Sequence, residues 1–187
     1  MKKIMIVVIA ALILFPAGLK AQNTEKAIAK IRKDYATALE KIKASGDFYD
    51  DVFVNCATIN IHEMWGGSGP HQEKTEVFYQ MGTDEAWSFD RTVFFVRNKY
   101  NVSVREFYTE ILYDEQGKPE FYYHKAFGYD GKPLEWRFYW NNGKLIRKLV
   151  PQDIDNEAFP EEDIPDPHKA YKTAITYGKY ENNLYLN

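Results

Sequence analysis

Residues Tyr113 to Ile146 read YDEQGKPEFYYHKAFGYDGKPLEWRFYWNNGKLI, and the fold is decided by the rhythm of this stretch. A Gly-Lys pair recurs at 117–118, 131–132 and 143–144, so the intervals are 14 and 12 residues. Each interval is the length of one strand plus one tight turn. Asp130-Gly131 and Asn142-Gly143 offer the positive backbone angles that hairpin turns demand. Pro119 and Pro133 stand where a strand begins, the place in which a missing amide donor does least harm. The pattern predicts an antiparallel meander.

Side-chain alternation assigns faces. Leu134, Trp136, Phe138 and Trp140 alternate with Glu135, Arg137 and Tyr139, so the first set is expected in the core, against a helix, and the second in water. In EFYYHKAF both faces carry aromatic groups: Phe121 and Tyr123 on one, Tyr122 and His124 on the other. A sheet of that kind is either covered twice or presents one face to a ligand. Tyr122 and Tyr139 are expected to be exposed aromatic groups.

Period-two, β-branched and aromatic segments continue outward from this stretch. Strands are expected near 51–64, 74–81, 91–98, 101–113, 119–127, 133–141 and 144–150. Ahead of them, TEKAIAKIRKDYATALEKIKA (24–44) places Ile28, Ile31, Tyr35, Ala38, Leu39 and Ile42 at three- and four-residue steps. That spacing predicts an amphipathic helix about 30 Å long, capped near Asn23 or Thr24. After the strands, 151–167 is acidic and broken by prolines, an extended strap. Asp166-Pro167 then starts a short helix over 167–178.

The first residues, MKKIMIVVIAALILFPAGLKAQ, combine Lys2 and Lys3, an apolar run from Ile4 to Phe15 and a break at Pro16 and Gly18. They read as a secretory signal over 1–21, cleaved near Ala21-Gln22. The apolar run is too short to span a bilayer, which needs about 20 residues. The expectation is therefore a secreted or periplasmic domain, 22–187, with no membrane span after cleavage. Cleavage takes the 24 basic residues down by three, to 21, against 27 acidic ones, a formal charge of −6. Nucleic acid is a poor partner for such a chain, because that affinity rests on clustered Lys and Arg. Cys56 is the only cysteine. It can form no internal disulfide and is expected to be a small buried apolar residue.

Chemistry is most strongly suggested by INIHEMWGGSGPHQEKTEVFY, Ile59 to Tyr79. A zinc hydrolase would show His-Glu-x-x-His on a helix. Here Gly66 stands where the second His belongs, and the segment is strand-like. His62 and His71 could still meet across a folded loop, with Glu73 as a third ligand, in a metal site. The simpler reading makes residues 65–70 a strand connection, with His71 on its exposed limb. Glu106 and Glu110, four apart on one strand face, are about 13 Å apart, too far for a glycosidase pair. No Gly-x-Ser-x-Gly elbow is present. The expectation is a non-catalytic chain without a cofactor, with Trp65, His71, Tyr122 and Tyr139 as ligand-binding residues.

IHEMWGGSGPHQEKTEVFYQ, VRNKYNVSVREFYTEILYDEQGKPEF and WRFYWNNGKLIRK together give the chain a family resemblance. Over about 50–150 it resembles uncharacterised secreted proteins of Bacteroidetes-type bacteria, through Gly69-Pro70-His71-Gln72 and the Asn-Gly-Lys-Leu-Ile turn at 142–146. The resemblance implies an envelope location and brings no activity.

The expected architecture is α+β: a long N-terminal helix packed on a curved antiparallel sheet of six or seven strands, closed by the strap and a short C-terminal helix. The expected function is binding of a small molecule or glycan in the cleft between helix and sheet. The alternative is an interaction or inhibitor module that meets an envelope protein through an exposed sheet face, and a hydrolase is third.

Overall fold

The computed structural model describes residues 2–44, 54–81, 91–127, 131–151 and 164–174, with side chains from Ala21 onward except at Met81 and Arg91. One long helix, α1 (Lys2–Ala44), precedes seven strands: β1 (Val54–Trp65), β2 (Gly69–Met81), β3 (Arg91–Val102), β4 (Arg105–Tyr113), β5 (Pro119–Phe127), β6 (Pro133–Asn141) and β7 (Lys144–Leu149). They form one open antiparallel sheet in sequence order, and a short helix, α2 (167–174), follows. The meander and both helices match the expected architecture. Most of the acidic strap, 152–163, and the end of the expected C-terminal helix, 175–178, lie outside the described residues.

Turn chemistry sets the register. Asn142 (φ 51°) and Gly143 (φ 72°) both adopt positive φ, the type I′ geometry whose twist matches that of the flanking strands. The β1–β2 connection is shorter than expected. Trp65 pairs with Gly69, so residues 66–68 are the whole turn and β2 begins five residues early. The β3–β4 turn falls at Ser103-Val104, not near Lys99, because cross-strand pairing extends to Val102 and Arg105.

The apolar stripe of α1 is the one its spacing predicts. Ile28, Ile31 and Ala38 are buried, joined by Tyr35, Leu39 and Ile42, and they pack on Phe78, Phe95, Leu112, Phe121 and Tyr139. Each fully buried side chain of Ile or Phe size contributes about 1.5–3 kcal/mol. The expected cap at Asn23 or Thr24 and the break at Pro16 and Gly18 are absent, since α1 is continuous from Lys2. Extending an existing helix costs far less than starting one, so weak stop signals are overrun.

Two face assignments are corrected. Tyr139, expected in water, is 2% exposed and lies under α1. Phe138 and Trp140 are core as expected and Leu134 and Trp136 half-buried, but on the opposite face, where Ile164, Ala170, Tyr171 and Ala174 cover the cluster. The reason is that the sheet is clothed twice, so Tyr139 is buried too, while Glu135 and Arg137 of its set keep part of their side chains in water. Tyr122, also expected to be exposed, is 3% exposed on this second face. Cys56 is corrected the other way: it is exposed, on edge strand β1. Its sulfur is nonetheless partly enclosed, and that burial raises the thiol above its ordinary value, the reverse of an activated nucleophile.

The C-terminal cover is well anchored. The Asp166 carboxylate accepts from Lys169 N at 2.8 Å, an N-cap ahead of Pro167 in the first turn. Tyr113 donates its hydroxyl to Pro165 O at 2.7 Å. On the other face, Glu110 is 4% exposed beneath α1. It accepts from the hydroxyls of Tyr35 and Tyr108, and from Arg97 Nε at 3.2 Å. Burial, then the bond to Glu110, pushes both phenols well above their usual range.

Candidate functional site: a cavity on the sheet face away from the long helix

In-register pairing runs rows of side chains across the sheet. On the face opposite α1, one row is apolar: Ala57, Val77, Val96, Ile111, Tyr122, Phe138. The next row reads Ile59, Thr75, Asn98, Thr109, His124, Trp136, which sets four polar groups side by side in an otherwise apolar face. Beyond it lie Glu73, Tyr100 and Phe107. The C-terminal segment covers one end of these rows and leaves a cavity of about 530 Å³, walled by the polar row, Trp65, His71, Glu73, Tyr100, Tyr122 and, from above, Pro165 and Ala170.

The polar row is bonded internally. Asn98 Nδ2 donates to Glu73 Oε1 at 2.6 Å and to Thr75 Oγ1 at 2.7 Å, and Thr75 donates to Glu73 Oε1 at 3.1 Å. This fixes the amide orientation, because a carboxylate can only accept. Asn98 Oδ1 is then buried with no hydrogen-bond partner among the described residues. Thr109 Oγ1 and His124 Nδ1 share a bond of 2.9 Å. Burial holds His124 below the usual imidazole range, so its ring is uncharged at neutral pH. Burial, and then the Glu73 charge, raise the Tyr100 phenol.

Aromatic groups form the remaining wall. Trp65 stacks on His71 with ring centroids 3.8 Å apart and 13° between planes, and Tyr100 stacks on Phe107 at 4.8 Å and 10°. Trp65 Nε1 donates to Glu63 Oε2 at 3.0 Å. His71, expected on an exposed limb, is 4% exposed, because β2 already includes it. Its Nδ1 donates to Asn101 O at 2.7 Å, and its Nε2 faces Glu73 Oε2 at 3.6 Å, beyond hydrogen-bond reach.

Three of the four expected ligand-binding residues, Trp65, His71 and Tyr122, line this cavity, whereas Tyr139 is on the other side of the sheet. The metal trio does not assemble. His62 pairs with Gln72, one residue out of phase with Glu73, and so points to the face opposite His71 and Glu73. Among the described residues no cluster of three His, Cys, Asp or Glu side chains could hold a metal ion. Between α1 and the sheet the apolar stripe is packed, and beside it lies a second cavity of about 500 Å³ with a more polar lining that includes Asp34, Lys41, Gln80 and Glu120.

The polar row was not foreseen. Its trace in the sequence is a polar residue two positions from a core residue in four successive strands: Thr75-x-Val77, Val96-x-Asn98, Thr109-x-Ile111, Tyr122-x-His124. These align only once register is known, and the extra residue Phe94 between Val93 and Phe95 shifts β3 against β2. Among the described residues no helix is long and apolar enough to cross a membrane. Comparison with family models, curated proteins and solved structures finds no match for this chain.

Proposed function

We propose that this is a non-catalytic binding protein of the bacterial envelope, exported by residues 1–21, that holds a small molecule in the cavity between the sheet and the C-terminal segment. One observation carries the reading: a row of four hydrogen-bonding side chains floors a largely apolar, aromatic-walled cavity of about 530 Å³ that also holds His71 and Glu73. That volume falls within the range of small-molecule sites, and the pairing of apolar walls with a few convergent polar groups is their usual composition. The row's own bonds, from Asn98 to Glu73 and Thr75 and between Thr109 and His124, hold these groups in place for a ligand.

A thermal melt against glycans, peptides, lipids and aromatic metabolites tests the proposal. A ligand at 100 times its dissociation constant adds about 2.7 kcal/mol, a shift of several degrees. Ala170→Phe, which fills the cavity from above, is expected to remain folded and to lose the shift. A flat panel, or a shift that survives Ala170→Phe, would sink it.

A second reading, a protein-interaction module, draws on Met64, Val104, Phe127 and Leu149, exposed apolar side chains at the end of the sheet that bears the β1–β2 and β3–β4 turns. It predicts a partner whose capture is lost in Val104→Asp.

A further inference from the structure

We infer that the ligand of this cavity is an organic cation, an amine or ammonium group on an apolar or aromatic body; the inference rests on the cavity reading above. Charge gives the first reason. Among the described residues no Lys or Arg lines the cavity, and Glu73 is its one carboxylate. A ligand anion would meet that carboxylate with no Lys or Arg among the described lining residues to offset it, the nearest basic group being the His71 ring, 3.6 Å from Oε2.

Hydrogen-bonding capacity gives the second reason. Glu73 Oε1 is already held by Asn98 and Thr75, which fixes the carboxylate in place, while Oε2 has, among the described residues, only His71 Nε2 near it, at 3.6 Å. The unfilled capacity of this corner is therefore for accepting, at Oε2, which calls for N–H or O–H groups on the ligand. A carboxylate oxygen cut off from water by a ligand needs a donor to replace it, so a donor arriving on the ligand is favoured over an acceptor.

The third reason is the character of the walls. Trp65, Tyr100 and Tyr122 supply aromatic rings in the cavity that holds the carboxylate. Ring faces attract cations, and the attraction grows when the pair is out of water. An ammonium group between a fixed carboxylate and these rings satisfies both, and Val96 and Ile111 meet the apolar body.

The test is calorimetric titration of the full chain with three probes of one shape: phenethylamine, 2-phenylethanol and phenylacetate. The amine is expected to bind at least tenfold tighter than the alcohol, with the acid weaker still. Glu73→Gln, which keeps the shape and the Asn98 contact, is expected to remove that tenfold preference and leave the alcohol's affinity unchanged. Trp65→Leu is expected to weaken the amine more than the alcohol. Equal binding of amine and alcohol, or a preference untouched by Glu73→Gln, overturns the cation inference and leaves the cavity reading standing. Binding of the acid ahead of the amine overturns it outright. If no probe binds and the broad thermal panel is also flat, both readings fall.

Discussion

Glu110, buried, and His124, half-buried, are ionisable side chains on opposite faces of the sheet, and each makes a different demand on pH and on its neighbours. Glu110 is paired with Arg97 and held by two phenols beneath α1. Removing one member of a buried charge pair typically costs 3–5 kcal/mol. Arg97 keeps a second carboxylate, Glu76, at 3.6 Å, so Glu110→Ala is expected near the low end, about 3 kcal/mol. Tyr35→Phe should cost about 1.5 kcal/mol, the loss of one bond to a charged group. Urea unfolding measures both, and a loss under 0.5 kcal/mol for Glu110→Ala would show that the cluster does not hold the helix. His124 works through linkage. Its folded value is depressed by burial, so above the unfolded value of about 6.5 both states are uncharged and nothing is gained or lost. As pH falls through about 6.5 the unfolded chain takes up the proton and the folded chain does not, so stability drops until the folded value is passed. His124→Phe is expected to flatten that part of the stability profile, and an unchanged slope would refute the assignment.

At the scale of elements, the turns carry more than connection. Gly117, at φ 76°, lies in the β4–β5 turn, and a Cβ there would stand 3.3 Å from Pro167 Cγ, at the start of α2. Gly131, at φ 75°, has open space around it. Both Ala variants suffer the left-handed strain of about 1–2 kcal/mol, but Gly117→Ala must also push against α2. It is expected to be the more destabilising of the two and to raise amide exchange over 168–174, and equal effects would show that turn and helix do not lean on each other. This scale also shows what could be read from the chain alone. The α1 stripe from Ile28 to Ile42, the seven strands and the Asn142-Gly143 turn were legible because each follows from local spacing or backbone angle. The faces of Tyr122 and Tyr139 were not, because alternation tells which residues share a side but not what covers it. The site was half legible. Trp65 and His71 stood out beside a glycine-rich turn, whereas Thr75, Asn98, Thr109 and His124 became neighbours only through a register that Phe94 shifts.

For the molecule as a whole, the sheet is built from neighbours in sequence: each of β2 to β6 pairs with the strand before and the strand after, and β1 and β7 are the edges. The two faces differ in their source of cover, α1 from the start of the chain and 164–174 from near its end. A chain stopped after Pro151 keeps all seven strands and loses Ile164, Ala170, Tyr171 and Ala174 from the second face. It is expected to melt at lower temperature, to bind the dye ANS and to lose all affinity for cavity ligands. An unchanged melt would mean that the C-terminal segment is ornamental. The same arrangement has a consequence during synthesis. The floor of the cavity is complete once β5 has left the ribosome, but the roof at Pro165 and Ala170 is made later. A nascent chain therefore passes through a stage in which the floor is present and the pocket still lacks its roof.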